Sequence, residues 1–162
     1  MEAEALKIET INGNDYHIGH LNADVGSYLL NRLIKQFRKM LSTMDTDGED
    51  EQEQKEPEIS DTEFSEGLIM TLMTDLDFDD FKNLQRHALL VVTRCDFAGE
   101  RQFQQPIILR NGTFAYKELS TDIATVQALT AKVLFFNLGP FFTKAGLKAI
   151  LKGNIPAFNQ QS

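Results

Sequence analysis

The chain has 162 residues, 42% of them hydrophobic, with a single cysteine and a formal net charge of −8. That length suits one domain with its own core, and one cysteine, Cys95, excludes an internal disulfide and fits a reducing cytosol. No stretch reaches the ~18 uncharged apolar residues of a membrane span, and the acidic opening "MEAEALKIE" lacks an apolar signal region, so neither membrane residence nor export is expected.

In chain order, residues 1–5 are expected to be a flexible lead, followed by a β-hairpin over residues 6–21. "LKIETI" alternates in polarity, Asn12-Gly13 is a two-residue turn signal because both tolerate positive φ, and "DYHIGHL" returns. Asn22 then suits the N-cap of a helix over residues 23–44. Its apolar stripe is Val25, Leu29, Leu33, Phe37, Met40, Leu41 and Met44, spaced by threes and fours. Arg32, Lys35, Arg38 and Lys39 fall mostly off that stripe.

An acidic linker at residues 45–61 interrupts the pattern. Residues 45–66 hold 11 acidic side chains and one lysine, so the rest of the chain, with 13 acidic and 15 basic, is close to neutral. "TMDTDGEDEQEQ" has partial calcium-loop spacing: with Gly48 at the sixth position, Asp45 and Asp47 fall at the third and fifth. The first and twelfth positions are then Thr43 and Gln54, which cannot complete the ligand set. A solvated, disordered acidic insertion is the better reading, because like charges repel and nothing there can bury a core.

Helical pattern resumes near Phe64, and Asp77 is placed to cap a further helix whose stripe is Phe78, Phe81, Leu84, His87, Ala88, Val91 and Val92. Residues 97–105 read as a polar connection. "PIILRNGTFAYKEL" reads as a second hairpin turning at Asn111-Gly112 in the type I′ manner. Ser120 or Thr121 is expected to cap a long apolar helix running to about Leu138, which Gly139-Pro140 interrupts before "FFTKAGLKAILKG". Residues 154–162 form a tail. The expectation is α+β: one mostly helical domain, three to four helices with two small hairpins.

Catalytic and metal constellations do not assemble. His17 and His20 are three apart in a strand and so face opposite ways unless Gly19 bends the chain. His87 and Cys95 add no paired ligand spacing. Cys95 beside Asp96, with His87 earlier, lacks an oxyanion loop and reads as a buried thiol at a helix end. No glycine-rich phosphate loop is present. Catalytic, metal and cofactor residues are therefore assigned to none. The basic quartet on the first helix could grip phosphates, but a solvated face beside the acidic stretch is the better reading, since that stretch would compete for the same face.

The unusual feature is "KVLFFNLGPFF", which holds four of the chain's 12 phenylalanines and ends on a helix break. Neighbours on a helix diverge by ~100°, too wide for one narrow stripe. Either the helix is buried all round, or Phe135, Phe136, Phe141 and Phe142, with Leu147 and Ile150 beyond, form an apolar patch for a partner.

The order "KIETINGNDYHIGHLNADVGSYLL", "FDDFKNLQRHALLVV" and "PIILRNGTFAYKELSTDIATVQALTAKVLFFNLGPFF" resembles the tail assembly chaperones of long-tailed bacteriophages, over roughly residues 7–42 and 64–151. The acidic insertion is outside that pattern. The resemblance implies a non-enzymatic helper in the host bacterial cytoplasm, absent from the mature virion. Its implied partner is the tape measure protein, kept soluble while tail tube protein polymerises around it; self-association into a homo-oligomer is compatible. It brings no catalytic residue and no cofactor. Two other readings are a head–tail joining or regulatory interaction module and a nucleic-acid-binding regulator using the basic quartet.

Overall fold

The computed structural model describes residues 7–44 and 60–153. The lead at 1–5, the acidic stretch through residue 59 with its calcium-loop alternative, and the tail at 154–162 lie outside the described residues.

Strands β1 (Lys7–Ile11) and β2 (Asn14–Ile18) form the first hairpin. Asn12 and Gly13 both have positive φ, 52° and 78°, the type I′ geometry that matches strand twist. Helix α1 (Ala23–Met44) follows, burying Leu29, Leu33 and Phe37. Helix α2 (Asp61–Thr74) starts earlier than its apolar pattern suggests, because the Ser60 hydroxyl accepts from the Glu63 N–H. Helix α3 (Phe78–Leu89) is capped by Asp77, which accepts from the Asp80 N–H at 2.9 Å. Of its expected stripe, Leu84 and Ala88 are buried and Phe78 is exposed; Leu89 joins the core instead.

The second hairpin is not where the asparagine–glycine pair placed it. Strands β3 (Val92–Ala98) and β4 (Arg101–Pro106) pair over the segment expected to be a polar connection, turning at Gly99 with φ 66°. The sheet runs β1-β2-β3-β4, antiparallel throughout. At residues 107–116 only an isolated bridge, Ile108 to Phe114, remains. Ile107 and Ile108 are both buried, which departs from the alternation of a strand with one solvated face. The turn closes from Gly112 N–H to Leu109 C=O, with Gly112 rather than Asn111 at positive φ, so it is not type I′.

A 3-10 turn (Lys117–Thr121) occupies the expected cap positions, and Asp122 caps α4 (Ile123–Leu138) instead, accepting from the Thr125 N–H. The turn is held to the sheet by Arg94, which bonds Glu118 at 2.9 Å and stacks over the Tyr116 ring at 3.9 Å. Tyr116 donates to Asp96. A second 3-10 turn (Gly139–Phe142) leads to α5 (Lys144–Leu151), which ends at Gly153 with φ 83°.

Two apolar clusters form, and α4 contributes to both. Ala131, Leu134 and Leu138 meet α1, α2, Phe142 and Leu147; Leu129 and Val133 meet β2, β3, Ile107 and Leu119. Phe142 is fully buried in the helical cluster. Phe142→Ala should cost about 3–5 kcal/mol by loss of transfer energy and creation of a cavity, read from the midpoint and slope of urea unfolding.

Candidate functional site

The end of α4 shows how the break is built. Phe135 packs on the helical cluster and Phe136 on the sheet cluster, as their angular separation requires. Asn137, a lone amide among apolar neighbours, clamps the β2–α1 connection: its Oδ1 accepts from Leu21 N–H at 2.8 Å and its Nδ2 donates to Gly19 C=O at 3.2 Å. Pro140 has no N–H to continue the helix, and the Gly139 carbonyl accepts from the Ser65 hydroxyl on α2 at 2.7 Å.

Thr143 then caps α5 through the Gly146 N–H. Gly146 is demanded by contact, since a Cβ there would stand 2.6 Å from the Phe141 carbonyl oxygen. This approach presses α5 onto the turn and sorts the rings. Phe142 goes into the core, while Phe141 stays half-buried. Leu147 and Ile150, also expected at a partner surface, are 6% exposed and belong mainly to the core. Phe135 and Phe136 are half-buried.

Open clefts flank these three rings. One, of about 360 Å³ between α1 and α5, is lined by Leu30, Ile34, Phe141 and the edge of Ile150, with Lys35 and Arg38 among its polar lining. Another, of about 410 Å³, has Phe135, Phe136 and Pro140 on its apolar side, with Lys7, Asp61 and Glu66 on its polar side. A smaller hollow of about 200 Å³ reaches Phe141 from the other side of Leu30. Leu30, Ile34 and Arg38 recur every four residues, so the first cleft runs along one face of α1. The His20 ring lies 4.8 Å from Phe136.

Beside the second cleft, Glu9 of β1 bridges Lys132 of α4 at 3.1 Å and Lys7 at 3.3 Å. Burial alone would raise its pKa, but the two ammonium groups outweigh that and hold it below the ordinary carboxylate value.

The basic quartet is not a uniform surface. Arg32 pairs with Asp80 at 3.5 Å, and the hollow containing Arg32, Lys35 and Lys39 is also lined by Asp75, Asp77 and Asp80. The histidines are dispersed: His17 bonds Gln104, His87 bonds the Asn83 carbonyl, and His20 meets Phe136. Cys95 lies in β3, not at a helix end, buried beside Gln102. Among the described residues no three His, Cys, Asp or Glu side chains gather closely enough to hold a metal ion, and no helix is long and apolar enough to cross a membrane.

Sequence reasoning missed exposed rings elsewhere. Phe97 and Phe103, 70% and 41% exposed, sit on the β3–β4 hairpin. The signal was Gly99-Glu100 between alternating residues, masked by three glutamines.

A family model described as phage tail assembly chaperone protein, TAC, matches residues 12–149. No curated protein and no solved structure matches the chain.

The Glu9 bridge gives a pH test. A depressed carboxylate contributes stability above the unfolded value, 4.5, and loses it as pH falls through the lower folded value. Glu9→Gln should flatten the acid side of a urea-midpoint-versus-pH curve; parallel curves for the two proteins would show no such linkage.

Proposed function

Because the chain belongs to the phage tail assembly chaperone family, we propose that it binds the tape measure protein and keeps it soluble while tail tube protein polymerises around it. The observation that carries this reading is the set of half-buried rings, Phe135, Phe136 and Phe141, lining clefts open on two sides of the α4 break. A long helical client presents apolar residues at i, i+3, i+4 and i+7, the pattern that lies in a groove between helices. Leu147 and Ile150 support the floor from α5.

The mechanism is reversible burial. Apolar surface removed from water contributes roughly 25 cal/mol per Å², less the cost of association, so one modest cleft gives weak capture. Many copies along one long client then give avidity. Capture this weak yields to polymerising tube subunits without a nucleotide or a covalent step. The protein therefore acts in the host cytoplasm as a non-enzymatic helper and does not remain in the virion. The mixed charge around Arg32, Lys35 and Lys39 favours this over a nucleic-acid regulator, whose site needs phosphates to meet cations alone.

The test is coexpression with a tape measure protein. Wild type should raise the client's soluble fraction, and Phe141→Asp or Phe136→Asp should remove most of that gain while circular dichroism stays native. No change in client solubility with wild type would end the proposal.

A further inference from the structure

The two larger clefts at the α4 break carry opposite charge. Among the described residues, the cleft between α1 and α5 takes its polar lining from Asn31, Lys35 and Arg38, with no acid. The cleft beside Phe135 and Phe136 is lined instead by Asp61 and Glu66, with Lys7. Lys7 already meets Glu9, so the acids there are in surplus.

Neither Lys35 nor Arg38 has a carboxylate within ion-pair distance among the described residues. Lys35 also borders the hollow that holds Asp75, Asp77 and Asp80, whereas Arg38 does not. Both side chains are exposed. The cleft also has an order along α1. Leu30 and Phe141 are shared with the smaller hollow that reaches Leu21 and the start of α1, so they mark the end nearer that start. Lys35 and Arg38 lie further along the helix. Eight residues separate Leu30 from Arg38, about 12 Å at ~1.5 Å per residue. The cleft is therefore graded, apolar at one end and cationic at the other.

Building on the client capture proposed above, we propose that this cleft selects a helical client segment carrying Asp or Glu about two turns from its apolar anchors. The anchors fill the end formed by Leu30, Ile34 and Phe141, and the client's carboxylates reach Lys35 and Arg38. Two turns of client helix span about 11 Å, which matches the spacing on α1. Charge beside a groove sets partner choice and orientation more than raw strength. A client segment with lysine or arginine at that position is rejected, because like charges then face each other. Phosphate backbones call for a row of cations; two cations beside four apolar side chains suit a carboxylate-bearing peptide instead.

Fluorescence anisotropy with short labelled peptides, tiled along the tape measure protein, reads this selection. Peptides that bind wild type should carry Asp or Glu about seven or eight positions from their apolar anchors, two turns away, and should bind less tightly as salt rises. Lys35→Glu/Arg38→Glu should weaken them about tenfold, since two attractions become repulsions, and should favour copies with Lys in place of the acid. Lys82→Glu/Arg86→Glu on α3 makes the same change of net charge away from the cleft and should bind as wild type. All four side chains are exposed, so both variants should keep native circular dichroism. Unchanged binding by Lys35→Glu/Arg38→Glu, equal binding of acidic and Lys-substituted peptides, or no peptide binding at all overturns the proposal. A single-stranded oligonucleotide that binds wild type more tightly than every peptide overturns it too. Capture itself is judged separately, by coexpression with the whole client: solubility raised equally by wild type and Lys35→Glu/Arg38→Glu keeps capture and overturns the charge selection.

Discussion

Burial of α4 on two sides is the constraint from which the rest of the molecule follows. A helix apolar around most of its circumference must be covered around most of its circumference, and this chain does so with a helical layer and a sheet. Leu134 and Leu138 belong to one cluster and Leu129 and Val133 to the other. The β1–β2 hairpin is tied to the same helix by Asn12, whose side chain donates to Thr125, and by Glu9 through Lys132. Remove α4 and both clusters lose the one helix they share.

That constraint also makes the break necessary. Pro140 stops the helix, and the 3-10 turn swings Phe142 inward while Thr143 restarts a short helix that presses back on the turn. The backbone freed at the break is satisfied by Ser65 rather than left bare, as buried carbonyls require. What stays outside is the half-buried remainder: Phe135, Phe136 and Phe141. Apolar surface at the kink is exposed without unfolding anything, as the proposed reversible capture of another polypeptide requires.

Charge is divided with equal economy. The excess of acid lies almost wholly in one stretch, leaving the rest of the chain nearly neutral. Neutral surfaces with exposed rings associate readily, and a surplus of one charge opposes association.

Local signals were enough for much of this. Asn12-Gly13 determined its turn, Asp77 its cap, the 3.6-residue stripe of α1 its buried face, and Gly139-Pro140 the end of α4, because each depends on neighbours within a few residues. The family was likewise legible from element order and "LFFNLGPFF". Tertiary structure decided what depends on distant partners. Asn111-Gly112 looks like a hairpin turn as good as Asn12-Gly13, yet Ile107 and Ile108 are both drawn into the core and only an isolated bridge forms there. "RCDFAGERQFQQP" looks polar, yet β2 offers β3 an open edge and the ladder forms regardless of side-chain polarity. Two pairs of phenylalanines and two aliphatics read alike in one dimension; Gly146, by letting α5 touch the turn, determines that Phe142, Leu147 and Ile150 serve the core while three rings stay half-buried. A residue's type limits what it can do, but the packing around it decides which of those things it does.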